Sequence, residues 1–454
     1  MIHQIKQIAT RNLISPYGLA FVSYALFLTA WVAPPALFLD YIGEPDLLYL
    51  NLTVFLFYSA CVVCFMAGVW IFEHFCDSRK VPVLDLSCNS PLSFLLIPLA
   101  ISTTLCIASV VVLNGNVSNV VELLFSQQGA LLKLANASGQ AEEGSWGYVI
   151  TFQTGMLWWA YFRSKRLIGG GASQRIFSLA LAVATIVAVI TALIKVDRTN
   201  LIPILAGMLV ILLYYKLAGK EVRMPRVAVI TLATVALIVG SFVGVSYIRG
   251  ASNAGILVAG VFGYTATSYN RLAAEISGLL HYSFGGRGIY LSTFLSYNNT
   301  INRIIPFNEL MGSPTARGVY FSEFSSIAAG GLNPGFNWSG AFGYIFADLG
   351  WWTPIYLLAV GIFNGYLWRQ FRRQSIAGII LYPWAAFSIL FWFGWNVLFD
   401  LRFALLAVVV AIIGTYESRL LGRHASIDPE AEDPLPQRDL PPENIPGLRT
   451  CAPR

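Results

Sequence analysis

Long apolar runs separated by short polar segments make up most of the chain. A helix that crosses a hydrocarbon core of about 30 Å needs about 20 mostly apolar residues. Ten runs meet this requirement, and they lie near 16–38, 48–72, 91–113, 145–163, 176–194, 199–217, 226–247, 351–370, 376–399 and 402–418. The pattern therefore predicts an all-α polytopic membrane protein with about ten transmembrane helices.

One long polar interruption separates the seventh run from the eighth. It contains five arginines and many Tyr, Asn, Ser and Gly residues. A loop of this length is usually functional or disordered, and its aromatic residues argue against disorder. We therefore expect it to carry the chemistry of the protein. The predicted organisation is helices 1–7 in 1–247, a large outer loop in 248–350, helices 8–10 in 351–421, and a disordered proline-rich tail in 422–454.

The positions of the basic residues predict the orientation. Lys and Arg accumulate in the cytoplasmic loops of membrane proteins. If the N-terminus is cytoplasmic, 20 of the 29 basic residues fall in segments predicted to be inside. Both termini are therefore predicted to be cytoplasmic, and the 248–350 loop is predicted to lie outside. The composition agrees, because only 11% of the residues are charged, against about 25% in soluble domains.

Several features of other membrane proteins are missing from the sequence. No predicted span has an ionisable residue in its central part, which lowers the expectation of an ion-coupled transporter or pump. There is no phosphate-binding loop for ATP, no Asp-x-Asp for a nucleotide sugar, and no metal-ligand spacing. We expect no metal, no cofactor and no nucleic-acid partner. A reaction on the outer face would then draw its energy from the substrate.

Arginines near the outer face are candidates for binding a pyrophosphate. The guanidinium group binds phosphate oxygens through two hydrogen bonds. The candidates are Arg198, Arg249, Arg271 and Arg317, with Arg402 as a weaker one. The alternative for each is a snorkelling side chain or a local salt bridge, such as Asp400 with Arg402.

Three residues of the outer loop are candidates for catalysis by proton transfer. His281 is the only histidine there, and histidine is suited to general base catalysis. Glu323 and Asp348 are acidic candidates, and Glu275 is a further possible base. Asp348 could equally cap a helix.

The chain resembles the bacterial O-antigen polymerase family (Wzy-type, oligosaccharide repeat-unit polymerases). The resemblance rests on the topology and on three segments: Val196-Asp-Arg-Thr-Asn200, Tyr264-Thr-Ala-Thr-Ser-Tyr-Asn-Arg-Leu272, and Gly340-Ala-Phe-Gly-Tyr-Ile-Phe-Ala-Asp-Leu-Gly350. It implies a GT-C-like glycosyltransferase that joins oligosaccharide units linked to undecaprenyl pyrophosphate at the periplasmic face of the inner membrane. It also implies a functional role for Arg249, which forms an Arg-x10-Gly pattern with Gly260, and by position for Arg198.

The resemblance also implies partners and leaves rival functions open. A chain-length regulator, a flippase and membrane lipid are the expected partners. An O-antigen ligase is one rival, but ligases carry a histidine in the outer loop that is absent from 333–339 here. A polysaccharide or lipid transporter is the second rival, and a structural scaffold is the third.

Overall fold

The computed structural model describes residues 13–32, 44, 50–76, 92–114, 122, 126, 148–167, 171–194, 198–218, eight positions between 229 and 247, 254–296, 298–312 and 315–425. These residues form helices and contain no β-strand. The helices are α1 (Pro16–Val32), α2 (Leu52–Ile71), α3 (Ser93–Asn114), α4 (Val149–Leu167), α5 (Ala172–Ile194), α6 (Arg198–Ala218), α7 (Ala254–Ile276), α8 (Thr293–Ser296), α9 (Asn299–Ile304), α10 (Phe307–Leu310), α11 (Ala316–Ala329), α12 (Gly340–Leu349), α13 (Thr353–Arg372), α14 (Ile376–Leu390) and α15 (Leu401–Ala425).

The prediction of a helical membrane protein agrees with this architecture. Five helical stretches of the described chain are long and apolar enough to cross a membrane: Leu52–Phe75, Ser93–Val112, Ala172–Ile194, Gly340–Arg372 and Leu401–Arg419. Three shorter apolar helices, Pro16–Val32, Asn200–Tyr215 and Ile376–Leu390, coincide with other predicted spans. The total of ten spans stays a prediction, because 226–247 lies mostly outside the described residues.

The ninth predicted span differs from the helix in the structure. The run 376–399 was predicted as one helix, but α14 ends at Leu390. The chain then turns so that the Trp392 carbonyl accepts the Ala341 N–H at 2.8 Å and the Val397 carbonyl accepts the Trp384 indole N–H at 3.0 Å. These hydrogen bonds replace the backbone hydrogen bonds of a continued helix, and the hydrophobicity of the run does not predict them.

Two compact units divide the chain. The first runs from Met1 to Val410, and the second from Ala411 to Arg454. In the second unit the structure describes only the remainder of α15, which continues to Ala425. The predicted tail therefore begins within a helix, and its part from 426 onwards lies outside the described residues.

Glycines allow α2 and α13 to pack at very short distance. A Cβ atom added to Gly68 would lie 2.0 Å from the Leu358 carbonyl oxygen, and one added to Gly361 would lie 2.0 Å from the Phe65 carbonyl oxygen. Small residues at such contacts are typical of helix packing in membranes, where close van der Waals contact replaces the hydrophobic effect. We call this contact the glycine seam.

The 248–350 segment, predicted as a loop, is largely helical where it is described. It contains α7 to α12, and α7 packs against α12 and contacts α1 and α2. Its apolar residues form their own core, which includes Ala274, Leu280, Tyr282, Ile289, Tyr290, Val319, Ile327, Leu332 and Tyr344. The segment is therefore a folded layer whose first helix contacts two of the apolar helices. We call residues 248–350 the insert, and these core residues the insert core.

Candidate functional site

Arg271 lies on α7 and is completely buried. Its Nη2 donates to Oε1 of Glu44 at 2.5 Å and to the carbonyl of Asn333 at 2.8 Å, while its Nη1 donates to the carbonyl of Thr267 at 3.0 Å. The Asn333 N–H donates to the same Glu44 oxygen at 3.3 Å. Burying two charges is costly unless they are paired and hydrogen-bonded. These four hydrogen bonds meet most of that condition, while Glu44 Oε2 and Arg271 Nε have no hydrogen-bond partner among the described residues. The four bonds join three segments that are distant in sequence.

Glu275 lies one helical turn after Arg271 on the same helix. It is buried, and its Oε2 has no hydrogen-bond partner among the described residues. The oxygen faces α12 at Gly343, where an added Cβ would lie 3.5 Å away. Helix α7 is not among the candidate membrane spans. Burial, and to a smaller extent the charge of Asp348, raises the pKa of the Glu275 carboxyl well above its ordinary value, so this group favours its protonated form.

Glu323, on α11, lies beside the tyrosines of the insert core. It is 1% exposed, and its Oε2 accepts the Tyr344 hydroxyl at 3.3 Å. The same hydroxyl lies 3.0 Å from the Asn337 carbonyl. The Tyr282 hydroxyl is hydrogen-bonded to Ser339 Oγ. Burial, and to a smaller extent the charges of nearby carboxylates, raise the pKa of the Tyr282 phenol, so this group keeps its proton.

Asp348 holds a loop in place. Its Oδ1 accepts the Gly288 N–H at 3.0 Å, and its Oδ2 accepts the N–H groups of Tyr290 and Leu291 at 2.7 and 2.9 Å. Both oxygens are therefore bound by backbone donors, which favours an anchoring role over proton transfer. Its proposed catalytic role stays a prediction.

His281 is exposed and directly precedes Tyr282 in the sequence. Among the three candidates for catalysis, it is the one whose side chain is open to solvent. A substrate hydroxyl could approach it without displacing the insert core. The structure thus brings one accessible base next to a set of buried acids and phenols.

The arginine candidates separate into different environments. Arg271 is bound to Glu44, which favours a structural role, and its phosphate-binding role stays a prediction. Arg402 pairs with Asp400 at 2.5 Å, and its guanidinium lies 5.2 Å from the Trp384 ring centre. The pair with Asp400 is the local salt bridge named above as the alternative to phosphate binding. Arg249 and the side chains of Arg198 and Arg317 lie outside the described residues, so their predicted convergence is untested.

Glu44 and the core tyrosines are the residues that sequence reasoning missed. Glu44 is 227 positions from Arg271, so no local pattern could connect them. The available signal was charge, because the first segment predicted to lie outside contains acids and no basic residue, whereas the insert is rich in arginine. The tyrosines stand out only as part of the high aromatic content of the insert.

The described residues contain no group of three or more His, Cys, Asp or Glu side chains arranged to hold a metal ion. Two buried carboxyls, Glu275, which favours its protonated form, and Glu323, lie within one folded layer with the exposed imidazole of His281. Such a set can orient hydroxyl groups and accept or supply a proton.

The long apolar helices define a helical membrane protein. No family model matches the chain, and the searches found neither a curated protein nor a solved structure with significant similarity to it. The function is therefore argued from the residues and their geometry.

Proposed function

We propose that the protein is a GT-C-like membrane glycosyltransferase that polymerises oligosaccharide repeat units at the periplasmic face of the bacterial inner membrane. The donor is a glycan attached to undecaprenyl pyrophosphate. A hydroxyl of the acceptor unit attacks C1 of the donor sugar, and the bond from C1 to the pyrophosphate oxygen breaks. A glycosidic bond forms, the hydroxyl proton passes to a base, and undecaprenyl pyrophosphate leaves.

The distribution of ionisable groups is the observation that supports this proposal most strongly. In the described spans, charged residues lie towards helix ends, as Arg163, Arg175 and Arg369 do. The insert buries several charged residues, including Arg271 and Glu323, among tyrosines, and buried charged residues in helices outside it, such as Arg163, lie near helix ends. This arrangement favours chemistry at the membrane surface over ion movement through the bilayer.

His281 is the base we assign to the reaction. It is exposed, whereas Glu323 is buried and Asp348 is bound by three backbone N–H groups. General base catalysis requires a group within hydrogen-bond reach of the attacking hydroxyl. Arg249 and Arg198 are assigned to the donor pyrophosphate, where they would stabilise the charge of the leaving group.

A deletion strain provides the direct genetic test. Loss of a polymerase leaves single repeat units on the lipopolysaccharide or capsule, and the long-chain ladder disappears. Loss of a ligase instead leaves polymer on its lipid carrier, and loss of a transporter changes substrate distribution across the membrane without changing glycan length. Either of these last two outcomes contradicts the proposal.

Point variants then test the assigned residues in the complemented strain. Arg249→Ala should abolish long chains at normal protein level, and Arg249→Lys should restore few of them, because lysine lacks the two-pronged geometry. Arg175→Ala, an exposed arginine in a segment predicted to be cytoplasmic, is the matched control. A normal ladder from Arg249→Ala would refute the pyrophosphate assignment.

Two histidine variants test the assignment of His281 as the base. His281→Ala should shorten the ladder by lowering the rate of polymerisation. The pH dependence of that rate should be flatter in the variant than in the wild type. His74→Ala is the control, since His74 is hydrogen-bonded to the Trp70 carbonyl in the helical turn after α2. Equal ladders from both variants would remove His281 from the mechanism.

A further inference from the structure

The segment from α8 to α10 has its asparagine side chains turned inward. Asn302 Nδ2 donates to the carbonyls of Leu295 and Asn298 at 2.5 and 2.9 Å. Asn308 Nδ2 donates to the Ser296 carbonyl at 2.9 Å, and the Asn308 N–H donates to Asn302 Oδ1, also at 2.9 Å. These side-chain to backbone bonds fix the fold of a segment whose helices are too short to be stable alone.

The apolar side chains of the same segment point outward. Ile304 is 77% exposed, Ile305 50%, Leu310 73% and Met311 38%. Single exposed apolar residues are normal on proteins, but these four lie close together in the sequence, and a cluster of exposed apolar residues indicates an interaction site. We call these four residues, together with Arg303, the 303–311 surface. Apolar side chains outside and asparagines inside are the reverse of the arrangement expected for a segment surrounded by water.

The segment that carries this surface contacts the end of a candidate membrane span. Thr293 Oγ1, on α8, donates to the Phe399 carbonyl at 3.5 Å, and the candidate span Leu401–Arg419 begins two residues later. Helix α8 also packs against α9 and α10. The segment is thus attached, through α8, to the end of a candidate membrane span.

Positive charge borders the surface. Arg303 is exposed beside Ile304. The exposed Arg287 guanidinium donates to the carbonyl of Gly312, immediately after Met311. Glu309 is the one acidic residue between 293 and 312. An apolar face with flanking arginines complements a lipid leaflet whose head groups carry negative phosphates.

We propose that the 303–311 surface lies in the membrane interface and takes anionic phospholipid as its ligand. Ile304, Leu310 and their neighbours enter the boundary of head groups and acyl chains, to a depth of about 5–10 Å. Arg303 and Arg287 remain at the level of the phosphates, as long basic side chains do at interfaces. The contact fixes the height of the insert above the bilayer. It does not depend on the proposed glycosyl transfer.

Photocrosslinking in native membranes tests the ligand directly. A benzophenone amino acid replaces Leu310 in the full chain, and in a second variant replaces Ser277, which is exposed outside the segment. After illumination, mass spectrometry should find phospholipid adducts at 310 in several-fold excess over 277. An adduct with another protein or with a second copy of this chain, or equal lipid adducts at both sites, overturns the proposal.

A depth measurement keeps the test valid if the photoreactive variants fold poorly. A cysteine at 305, in a background without the six native cysteines, carries a fluorophore in liposomes with lipids brominated near the head group. Strong quenching at 305 and little at a cysteine at 277 is expected. Arg303→Glu should reduce the quenching in anionic liposomes and leave it unchanged in zwitterionic ones. Unquenched fluorescence at 305 contradicts the proposal.

Discussion

The glycine seam between α2 and α13 and the core of the insert achieve close packing in opposite ways. At the seam, Gly68 and Gly361 remove side chains so that backbones approach each other. In the insert, Arg271, which pairs with Glu44 from outside the insert, and the carboxyls of Glu275 and Glu323 are buried. A buried charge costs free energy unless it is paired, so the insert retains groups that packing alone would exclude.

This difference indicates where the protein has functional constraints. The seam satisfies only steric requirements, and substitutions there should affect assembly of the helices. In the insert, polar side chains hold segments together, since Arg271 of α7 bonds to Asn333 and Glu323 of α11 bonds to Tyr344 of α12, and these groups lie beside the candidate site. Substitutions in the insert should therefore separate into those that unfold it and those that alter its protonation.

Arg271→Ala should produce the largest effect. It leaves Glu44 buried without its partner, and breaking a buried pair costs about 3–5 kcal/mol. Thermal unfolding in lipid nanodiscs should show the loss, and Arg271→Met with Glu44→Leu should recover part of it. Arg175→Met, at an exposed arginine outside the insert, should be close to neutral. If the double variant is no more stable than Arg271→Ala, the pair is not the stabilising element.

Gly361→Ala should have the next largest effect. The new methyl group would meet the Phe65 carbonyl oxygen, and overpacking of this kind costs on the order of 1–3 kcal/mol. Gly240→Ala is the matched control, because an added Cβ there meets nothing within 4 Å. Unfolding temperatures of the two variants measure the difference. Equal temperatures would show that the seam is not closely packed.

Asp348→Asn should loosen one loop of the insert. The amide can accept fewer of the three N–H bonds that the carboxylate receives from Gly288, Tyr290 and Leu291, and an unsatisfied buried donor costs about 1–3 kcal/mol. Hydrogen exchange should accelerate at these three amides and stay unchanged in α2 and α13. Unchanged exchange at 288–291 would contradict the anchoring role.

Glu275→Gln should change the pH dependence of stability and little else. The pKa of the Glu275 carboxyl is raised in the folded protein, so the folded state holds its proton more tightly than the unfolded state. The stabilisation that this carboxyl adds to the folded protein is complete below its ordinary pKa of 4.5. This stabilisation is lost as the pH rises towards the pKa of the folded state. Glutamine does not titrate, so the stability of the variant should decrease less steeply with pH.

The stability of the Glu275→Gln protein relative to wild type should therefore increase with pH above 4.5. Thermal unfolding over a series of pH values measures the difference between the two proteins. Glu309→Gln, at an exposed carboxyl, is the control and should follow the wild type. Parallel curves for wild type and Glu275→Gln would mean that the carboxyl is ionised in the folded state.

The positions of most apolar helices were predictable, because a continuous apolar run leaves few alternatives in a membrane. The end of α14 was not predictable, because residues 391–399 remain apolar while their backbone bonds to α12 and to Trp384. The insert was predictable as a folded region but not as a set of helices. The burial of Arg271 depends on Glu44, a contact across 227 positions that no local pattern encodes.

Reconstitution of the purified protein tests the proposed function most directly. The protein in liposomes is given a single oligosaccharide repeat unit linked to undecaprenyl pyrophosphate, without nucleotide sugar or ATP. The account predicts a ladder of longer lipid-linked glycans and release of one undecaprenyl pyrophosphate for each bond formed, with much less product from His281→Ala. Consumption of no donor by well-folded protein, or transfer of the glycan only to a lipid A core, would contradict it.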